Sequence, residues 1–358
     1  MTSPSLWKPF TLGRIELEHR LALAPMTRNR ANPDGTPGPL LATYYAQRAS
    51  LGLVITEGTQ PCDDGQGYLN TPGIYTAAHI EGWRHVSDAI HDEGGALFIQ
   101  LMHVGRMSHP DNTAHHRQPV APSAISADQD MFTSSGLQRT PVPRELTILD
   151  IETTIADFRH AAASAIAAGA DGVEIHGANG YLLHQFLSPN SNRRADQYGG
   201  SVENRSRFVI EVAAAVAGEI GAERVGIRIS PSMPLCGINE GDSDSVRAQY
   251  RHLVGELAPL NLAYLHVHHV GDDELLRSLR EMWPTAMLVV RFGRTREQIA
   301  DDIDAGLADI APLGQFALAN PDVVDRLRRD APLNALDPAT LYGGGAAGYT
   351  DYPTLIHS

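Results

Sequence analysis

Across this chain, polar residues stand repeatedly just where an apolar run stops. Pro25-Met26-Thr27-Arg28 follows the run 21–25, and Gln100, with His103 beyond it, ends 96–101. His176, Asn179 and Tyr181 follow 172–176, and Arg228 lies within 225–229. Arg291-Phe292-Gly293-Arg294 and Gly314-Gln315 end the last two runs. An imidazole, two carboxamides, a phenol and a guanidinium are hydrogen-bonding groups that can polarise or orient a ligand. An aldolase or isomerase site would need a Schiff-base lysine or a carboxylate base at a strand end, and the single lysine, Lys8, does not offer it. Each of these residues also has a structural reading. A His and an Asn past a strand can satisfy loop backbone, a Tyr can pack, and an Arg can sit in a salt bridge. His266, His268 and His269 cluster near another strand end. Alternation puts the first two on one face, but no third or fourth ligand is evident, so no metal is expected.

The elements that must position these residues repeat a local pattern. His91-Asp92-Glu93-Gly94-Gly95 leads into Ala96–Ile99, Ala167-Ala168-Gly169-Ala170-Asp171 into Gly172–Ile175, and Asp304-Ala305-Gly306-Leu307-Ala308-Asp309 into Ile310-Ala311-Pro312. Each reads as a helix ended by a C′ glycine, a turn and a buried strand. From Asp150, read as an N-cap, Ile151, Ile155, Phe158, Ala162 and Ile166 share one helical face. Strands are predicted at 21–25, 53–57, 96–101, 172–176, 225–229, 264–268, 287–291 and 310–313. Eight helix–strand units indicate an α/β chain folded as an eight-fold (β/α) TIM barrel, one domain over 1–358. The stretch 102–149 is rich in Pro, His and Ser and is expected to be an insertion after strand 3 that covers the active face. In such barrels the active site lies at the C-terminal ends of the strands.

Composition narrows the partners. The 358 residues carry a formal charge of −14, which opposes nucleic acid or an anionic membrane as the main partner. Two cysteines, Cys62 and Cys236, make neither a disulfide framework nor an iron–sulfur site. No apolar run approaches a membrane span, and Met1–Phe10 does not read as a secretory signal. A cytoplasmic protein is expected, acting on small molecules, with a homodimer as the one macromolecular association left open.

One segment is far more specific than the rest. His176-Gly177-Ala178-Asn179-Gly180-Tyr181-Leu182-Leu183-His184-Gln185-Phe186-Leu187-Ser188-Pro189, continuing through Asn192-Arg193-Arg194 to Tyr198-Gly199-Gly200-Ser201-Val202-Glu203-Asn204-Arg205, resembles the Old Yellow Enzyme family. Ala24-Pro25-Met26-Thr27-Arg28, Gln118-Pro119-Val120-Ala121-Pro122-Ser123 and Gly348-Tyr349-Thr350-Asp351-Tyr352-Pro353 agree with it, the last pointing to the bacterial alkene-reductase branch. The resemblance runs from Leu6 to about Leu355. It implies an NAD(P)H:FMN oxidoreductase that uses NADPH or NADH to reduce activated alkenes: enones, enals, maleimides and nitroalkenes. The alternatives are nitrate-ester or nitro-compound reduction in the same family, and an FMN-binding barrel without turnover. The iron–sulfur dienoyl-CoA reductase type, which shares the barrel, is excluded by the cysteine count.

The resemblance also implies roles. His176 and Asn179 donate hydrogen bonds to the substrate's activating oxygen, and Tyr181 supplies a proton to the α-carbon. Pro25, Met26, Thr27, Gly58, Gln100, Arg228, Gly293, Arg294, Gly314 and Gln315 bind FMN, Arg228 facing the charge of the reduced pyrimidine ring. Tyr68, Met102 and Tyr342 line the substrate cavity. The chain departs from the family at two places. Met102 stands where many relatives carry tryptophan, and Gln315 replaces the arginine that follows the strand-8 glycine at the FMN phosphate. Either FMN is bound more weakly than is usual for the family, or an arginine of the strand-7 loop, Arg291 or Arg294, takes over.

Overall fold

The computed structural model describes residues 3–355. Eight parallel strands form its centre: β1 (Leu21–Leu23), β2 (Leu53–Ile55), β3 (Ala96–Leu101), β4 (Gly172–Gly177), β5 (Val225–Ile229), β6 (Tyr264–His268), β7 (Ala286–Val290) and β8 (Ala311–Leu313). They pair in chain order, β8 returns to β1, and a parallel bridge between Leu288 and Ile310 joins β7 to β8. The sheet therefore closes as a TIM barrel, and all eight expected strands are present, with ends displaced by one or two residues.

A helix follows each strand: α1 (Pro39–Ala46), α2 (Ala77–Asp92), α3 (Ile148–Ala167), α4 (Val202–Ile220), α5 (Ser243–Leu257), α6 (Asp273–Met282), the short α7 (Asp301–Asp304) and α8 (Val323–Arg328). The glycines that end three of them, Gly94, Gly169 and Gly306, have φ of 79°, 89° and 72°, the left-handed cap geometry that favours glycine. The start of α3 differs from expectation. Thr147, not Asp150, is the N-cap. Its side chain accepts from the Asp150 N–H at 3.1 Å, and Asp150 accepts from the Thr147 N–H at 2.8 Å. Asp150 is the N3 member of a capping box, so the helix begins a turn earlier than the apolar periodicity implies.

Alternation along the strands explains the two cores. Leu97, Ile99 and Leu101 on β3, Val173 and Ile175 on β4, Ile227 and Ile229 on β5, and Leu265 and Val267 on β6 pack outward against the helices. Their alternate neighbours face the barrel axis. At its N-terminal end those inward residues are apolar, including Ala22, Leu53, Ile55, Phe98, Tyr264 and Leu288, closed from below by Leu12 and Leu17 of the hairpin 10–17. A Cβ on Gly226 would overlap the Tyr264 ring, and one on Gly172 would overlap Phe98. Small residues on two strands thus make room for aromatic rings from two others. Toward the C-terminal end the inward residues turn polar: Gln100, Glu174, His176, Arg228, His266 and His268.

Residues 102–149 contain the two-stranded ladder of Val120–Ala121 with Arg144–Glu145 and the hairpin Asp130–Thr133/Gly136–Arg139. Their start, Met102, Val104 and Met107, is buried with Ala127 against Tyr68, Tyr181 and Cys236. Arg106 donates to the Gly237 carbonyl at 2.9 Å, and Arg194 to that of Pro122 at 2.9 Å. Among the described residues no helix is long and apolar enough to cross a membrane.

Because Gly226 creates the volume that Tyr264 fills, Gly226→Ala should destabilise the fold by about 1–3 kcal/mol through overpacking. Urea unfolding of Gly226→Ala and of Gly226→Ala/Tyr264→Leu checks this. The double variant should recover part of the loss, and a neutral single variant contradicts the account.

Candidate active site

The polar end of the barrel is built on strand register. His176 on β4 lies level with Arg228 on β5, and Arg228 with His266 on β6. One layer below His176, Glu174 lies level with Gln100 on β3. Glu174 is fully buried and accepts from Gln100 Nε2 at 2.7 Å, with His266 Nδ1 2.8 Å from its other oxygen. Burial pushes the Glu174 pKa up, but His266, Arg228 and Gln100 outweigh it and hold the carboxyl below its ordinary value. Burial lowers the His266 pKa. The pair is therefore a carboxylate accepting from a neutral imidazole, which leaves His266 Nε2 a bare acceptor. His176 Nδ1, Arg228 Nε, His266 Nε2 and His268 Nε2 are all buried without a hydrogen-bond partner among the described residues. Four unpaired nitrogens at the top of three adjacent strands are costly unless a polar ligand meets them.

The loop after β4 carries Asn179 and Tyr181. Asn179 has a φ of 57°, and its N–H donates to Ser230 Oγ at 2.8 Å. The Gly180 N–H donates to His184 Nδ1 at 3.0 Å, so the His184 proton lies on Nε2, 3.1 Å from Glu240 Oε1. Tyr250 donates to the same Glu240 oxygen at 2.8 Å, and the Ser232 N–H to the other at 2.8 Å. A buried carboxylate and imidazole thus fix the loop from behind. In front, the Tyr181 ring stands edge-on to His176 with centroids 5.1 Å apart, and its hydroxyl lies 3.2 Å from that of Tyr68. Burial, reinforced by Cys236, raises the Tyr181 pKa above the usual tyrosine value. Burial, with Arg228 next, pushes His176 well below the usual imidazole value. Both side chains are neutral at ordinary pH.

The loop after β1 is held by a second buried carboxylate. The N–H groups of Arg28 and Asn29 donate to Glu57 Oε2 at 2.9 and 3.3 Å, and the Glu57 N–H donates to the Tyr45 hydroxyl at 2.8 Å. Pro25 is buried, while Met26 and Thr27 are half-buried. The Arg28 guanidinium donates to the Leu341 and Gly348 carbonyls at 2.9 and 3.1 Å, which anchors the segment bearing Tyr342. Tyr342 itself is 69% exposed, on the rim. Gly58 lies where a Cβ would overlap the buried Met102 side chain.

The structure thus gathers Tyr68, Gln100, Met102, His176, Asn179, Tyr181 and Arg228 at one end of the barrel. Gly293, Arg294, Gly314 and Gln315 follow β7 and β8. There the expected arginines are already occupied. Arg291 donates to both Asp302 oxygens at 3.0 Å and to Asp273 at 2.9 Å, while Arg294 pairs with Asp302 at 2.9 Å and donates to the Gln298 carbonyl at 2.9 Å. Gln315 is exposed. His269 pairs with Asp273 at 2.8 Å, so His266, His268 and His269 serve three different partners. Sequence reasoning missed Glu57, Glu174, Ser230, Glu240 and Tyr250. The signal available for the two strand glutamates was a carboxylate inside or at the end of an otherwise apolar run. A separate cavity of about 420 Å³, lined by Phe10, Gly13, Ala263 and Asp309 among others, lies at the opposite, N-terminal end of the barrel.

Residues 5–334 match the NADH:flavin oxidoreductase / NADH oxidase family. A protein of Leishmania infantum described as "Probable flavin mononucleotide-dependent alkene reductase" is 40% identical, over 97% of both chains. 12-Oxophytodienoate reductase 1 of Oryza sativa subsp. japonica is 41% identical, over 98% of this chain and 93% of its own. Among solved structures, morphinone reductase in complex with tetrahydroNAD superposes with a TM-score of 0.94 at 41% identity, covering 99% of this chain and 98% of that one. The Old Yellow Enzyme homologue from Zymomonas mobilis superposes with a TM-score of 0.93 at 36% identity, covering 98% and 100%. The chain belongs to the NADH:flavin oxidoreductase / NADH oxidase family, the Old Yellow Enzymes, and is an NAD(P)H:FMN oxidoreductase. The unpaired guanidinium nitrogen of Arg228 is a buried, positively charged donor that fits the polar edge of a flavin.

Two predictions follow from the geometry. Burial pushes Glu57 from 4.5 up to about 7. Its contribution to stability is full below about pH 4.5 and is lost as pH rises through about 7. The melting temperature of Glu57→Gln relative to the parent should therefore climb between pH 5 and pH 7 and then level off. A pH-independent difference excludes this titration. At the other end of the site, charge-assisted bonds to phosphate are roughly twice as strong as neutral ones. Gln315→Arg should therefore tighten FMN binding to the apoprotein by about tenfold. Arg291→Ala and Arg294→Ala should change it by less than about twofold, since Asp302 already holds both guanidinium groups. Loss of FMN in either arginine variant contradicts this.

Proposed function

We propose that the chain reduces activated alkenes conjugated to an electron-withdrawing oxygen function, including enones, enals, maleimides and nitroalkenes. The observation that carries this reading is the neutral donor set beside the unpaired nitrogens: buried His176 and half-buried Tyr181 in edge contact, with half-buried Asn179 on the same loop. The relatives named for alkene, 12-oxophytodienoate and morphinone reduction support it. FMN, when bound, would supply the two-electron chemistry by which NADPH or NADH reduces the alkene. Thr27, Gln100 and Arg228 would hold its ring. Gln100 keeps its carbonyl oxygen and one N–H for this, since one N–H serves Glu174. Backbone around Pro25, Met26, Gly58, Gly293 and Gly314 would complete the cradle, with Arg294 and Gln315 contributing little charge.

This chain's residues do the rest. His176 and Asn179 donate to the activating oxygen, drawing electron density from the β-carbon as charge develops on that oxygen. Neutral donors suit the task, because the acceptor gains charge only in the transition state. Tyr181 keeps its proton because burial disfavours phenolate. It gives that proton to the α-carbon, and Tyr68 can then donate to the phenolate across the 3.2 Å hydrogen bond. Tyr68, Met102 and Tyr342 shape the substrate space, where Met102 leaves a flexible thioether in the wall.

Purified protein should show flavin absorption that NADPH or NADH bleaches without oxygen and cyclohexenone restores. His176→Ala/Asn179→Ala should slow the restoring step by roughly 10²-fold, as loss of oxyanion donors does, with little change in FMN content. Tyr181→Phe should impair enone reduction while sparing bleaching. Stopped-flow measurement separates the two half-reactions. Near-normal enone turnover in the double variant sinks the donor assignment, and a Tyr181→Phe defect confined to bleaching sinks the proton-donor role.

A further inference from the structure

We infer that His268 is a positioning residue that fixes which end of the Asn179 carboxamide faces the ligand; this rests on the proposed donor role of Asn179. His268 is the last residue of β6, two residues past His266 on the same inward face, and is 2% exposed. Its Nδ1 lies 3.0 Å from Asn179 Oδ1. Its ring stands edge-on to Phe292, with centroids 4.4 Å apart.

A carboxamide is a donor at one end and an acceptor at the other, and half a turn about its terminal torsion exchanges them. The backbone contact that holds Asn179, its N–H to Ser230 Oγ, does not choose between the two. His268 does. Burial, then Arg228 and His266, push its pKa down to about 3, so the ring is neutral and carries one proton. With that proton on Nδ1 it donates to Asn179 Oδ1, and the Asn179 NH₂ is left for the ligand. The reverse arrangement would place the proton on Nε2, which is buried with no acceptor. Unpaired buried N–H groups are rarer than unpaired buried acceptors. A side chain that never touches the reacting atoms thereby sets the polarity of one that does.

The test is a double-mutant cycle on the FMN-loaded enzyme. It is read as the Kd of 2-cyclohexenone from the perturbed flavin absorption band, with the Kd of FMN as control. His268→Phe keeps a ring against Phe292 and removes the donor. It should weaken cyclohexenone binding by about tenfold, the worth of one well-made hydrogen bond, and leave FMN binding within about twofold. His268→Gln, which restores an N–H, should recover most of the loss. In an Asn179→Ala background His268→Phe should have no further effect. If His268→Phe does not retain FMN, His268→Leu takes its place in the cycle. Unchanged cyclohexenone binding, or a loss that persists in the Asn179→Ala background, overturns the inference. Asn179→Ala without effect on its own overturns the donor reading, and the positioning role falls with it. An Asn179 effect without a His268 effect overturns the positioning role alone.

Discussion

Glu174 is a carboxylate inside a barrel whose neighbouring layer is hydrocarbon and aromatic ring, and the site above it depends on that charge being paired. Desolvating a carboxylate is expensive unless hydrogen bonds and opposite charge replace the lost water. Here Gln100 donates from β3, His266 donates from β6, and Arg228 supplies positive charge from β5. The same contacts decide what those groups offer upward. Gln100 spends one N–H and keeps the rest. His266 is fixed in the tautomer that leaves Nε2 bare. Arg228 has no direct ion pair among the described residues and lies level with His176 on the next strand. One charge below the site therefore sets the donor and acceptor pattern above it. Breaking such a buried arrangement from one side is far more damaging than its net contribution to stability suggests.

The site loops repeat this device. Glu57 holds the backbone after Thr27, and Glu240 holds the loop of Asn179 and Tyr181 through His184. In each case a buried carboxylate takes up N–H donors that a loop cannot satisfy by itself. Among the described residues, His176, proposed to face the ligand, makes no hydrogen bond through Nδ1, and the only side-chain partner of the Tyr181 hydroxyl is another tyrosine.

The barrel was legible because alternation and C′ glycines are local signals. Val173 and Ile175 point one way and Glu174 and His176 the other, whatever lies on the next strand. Gly94, Gly169 and Gly306 mark helix ends without reference to any partner. The buried network was not legible for the converse reason. Glu174 acquires its role from Gln100, 74 residues earlier, and His266, 92 residues later. The three clustered histidines of β6 invite a shared ligand on paper, yet the pleat and the turn after the strand send them to Glu174, Asn179 and Asp273. Asp150 was displaced from the N-cap by Thr147 because a capping box places an acidic residue three positions inside the helix. Arg291 and Arg294 look available in sequence, and only the fold brings Asp302 to both.

The electrostatics of the site separate its chemistry from its pH response. His176 and His268 sit far below neutrality in pKa, and Tyr181 sits above the usual tyrosine range. His176 and Tyr181, the titratable groups proposed to activate and protonate the substrate, are therefore both neutral around neutral pH, and donor strength and proton supply do not change there. The group near the site that does change is Glu57, at about 7. Its side chain reaches the loop that carries Thr27 through the backbone N–H groups of Arg28 and Asn29. Deprotonation strengthens its grip on those two N–H groups while adding a buried negative charge beside the loop that carries Thr27. A pH dependence near neutrality would therefore arise in the placement and potential of the flavin. The donors proposed to activate the alkene would be unaffected.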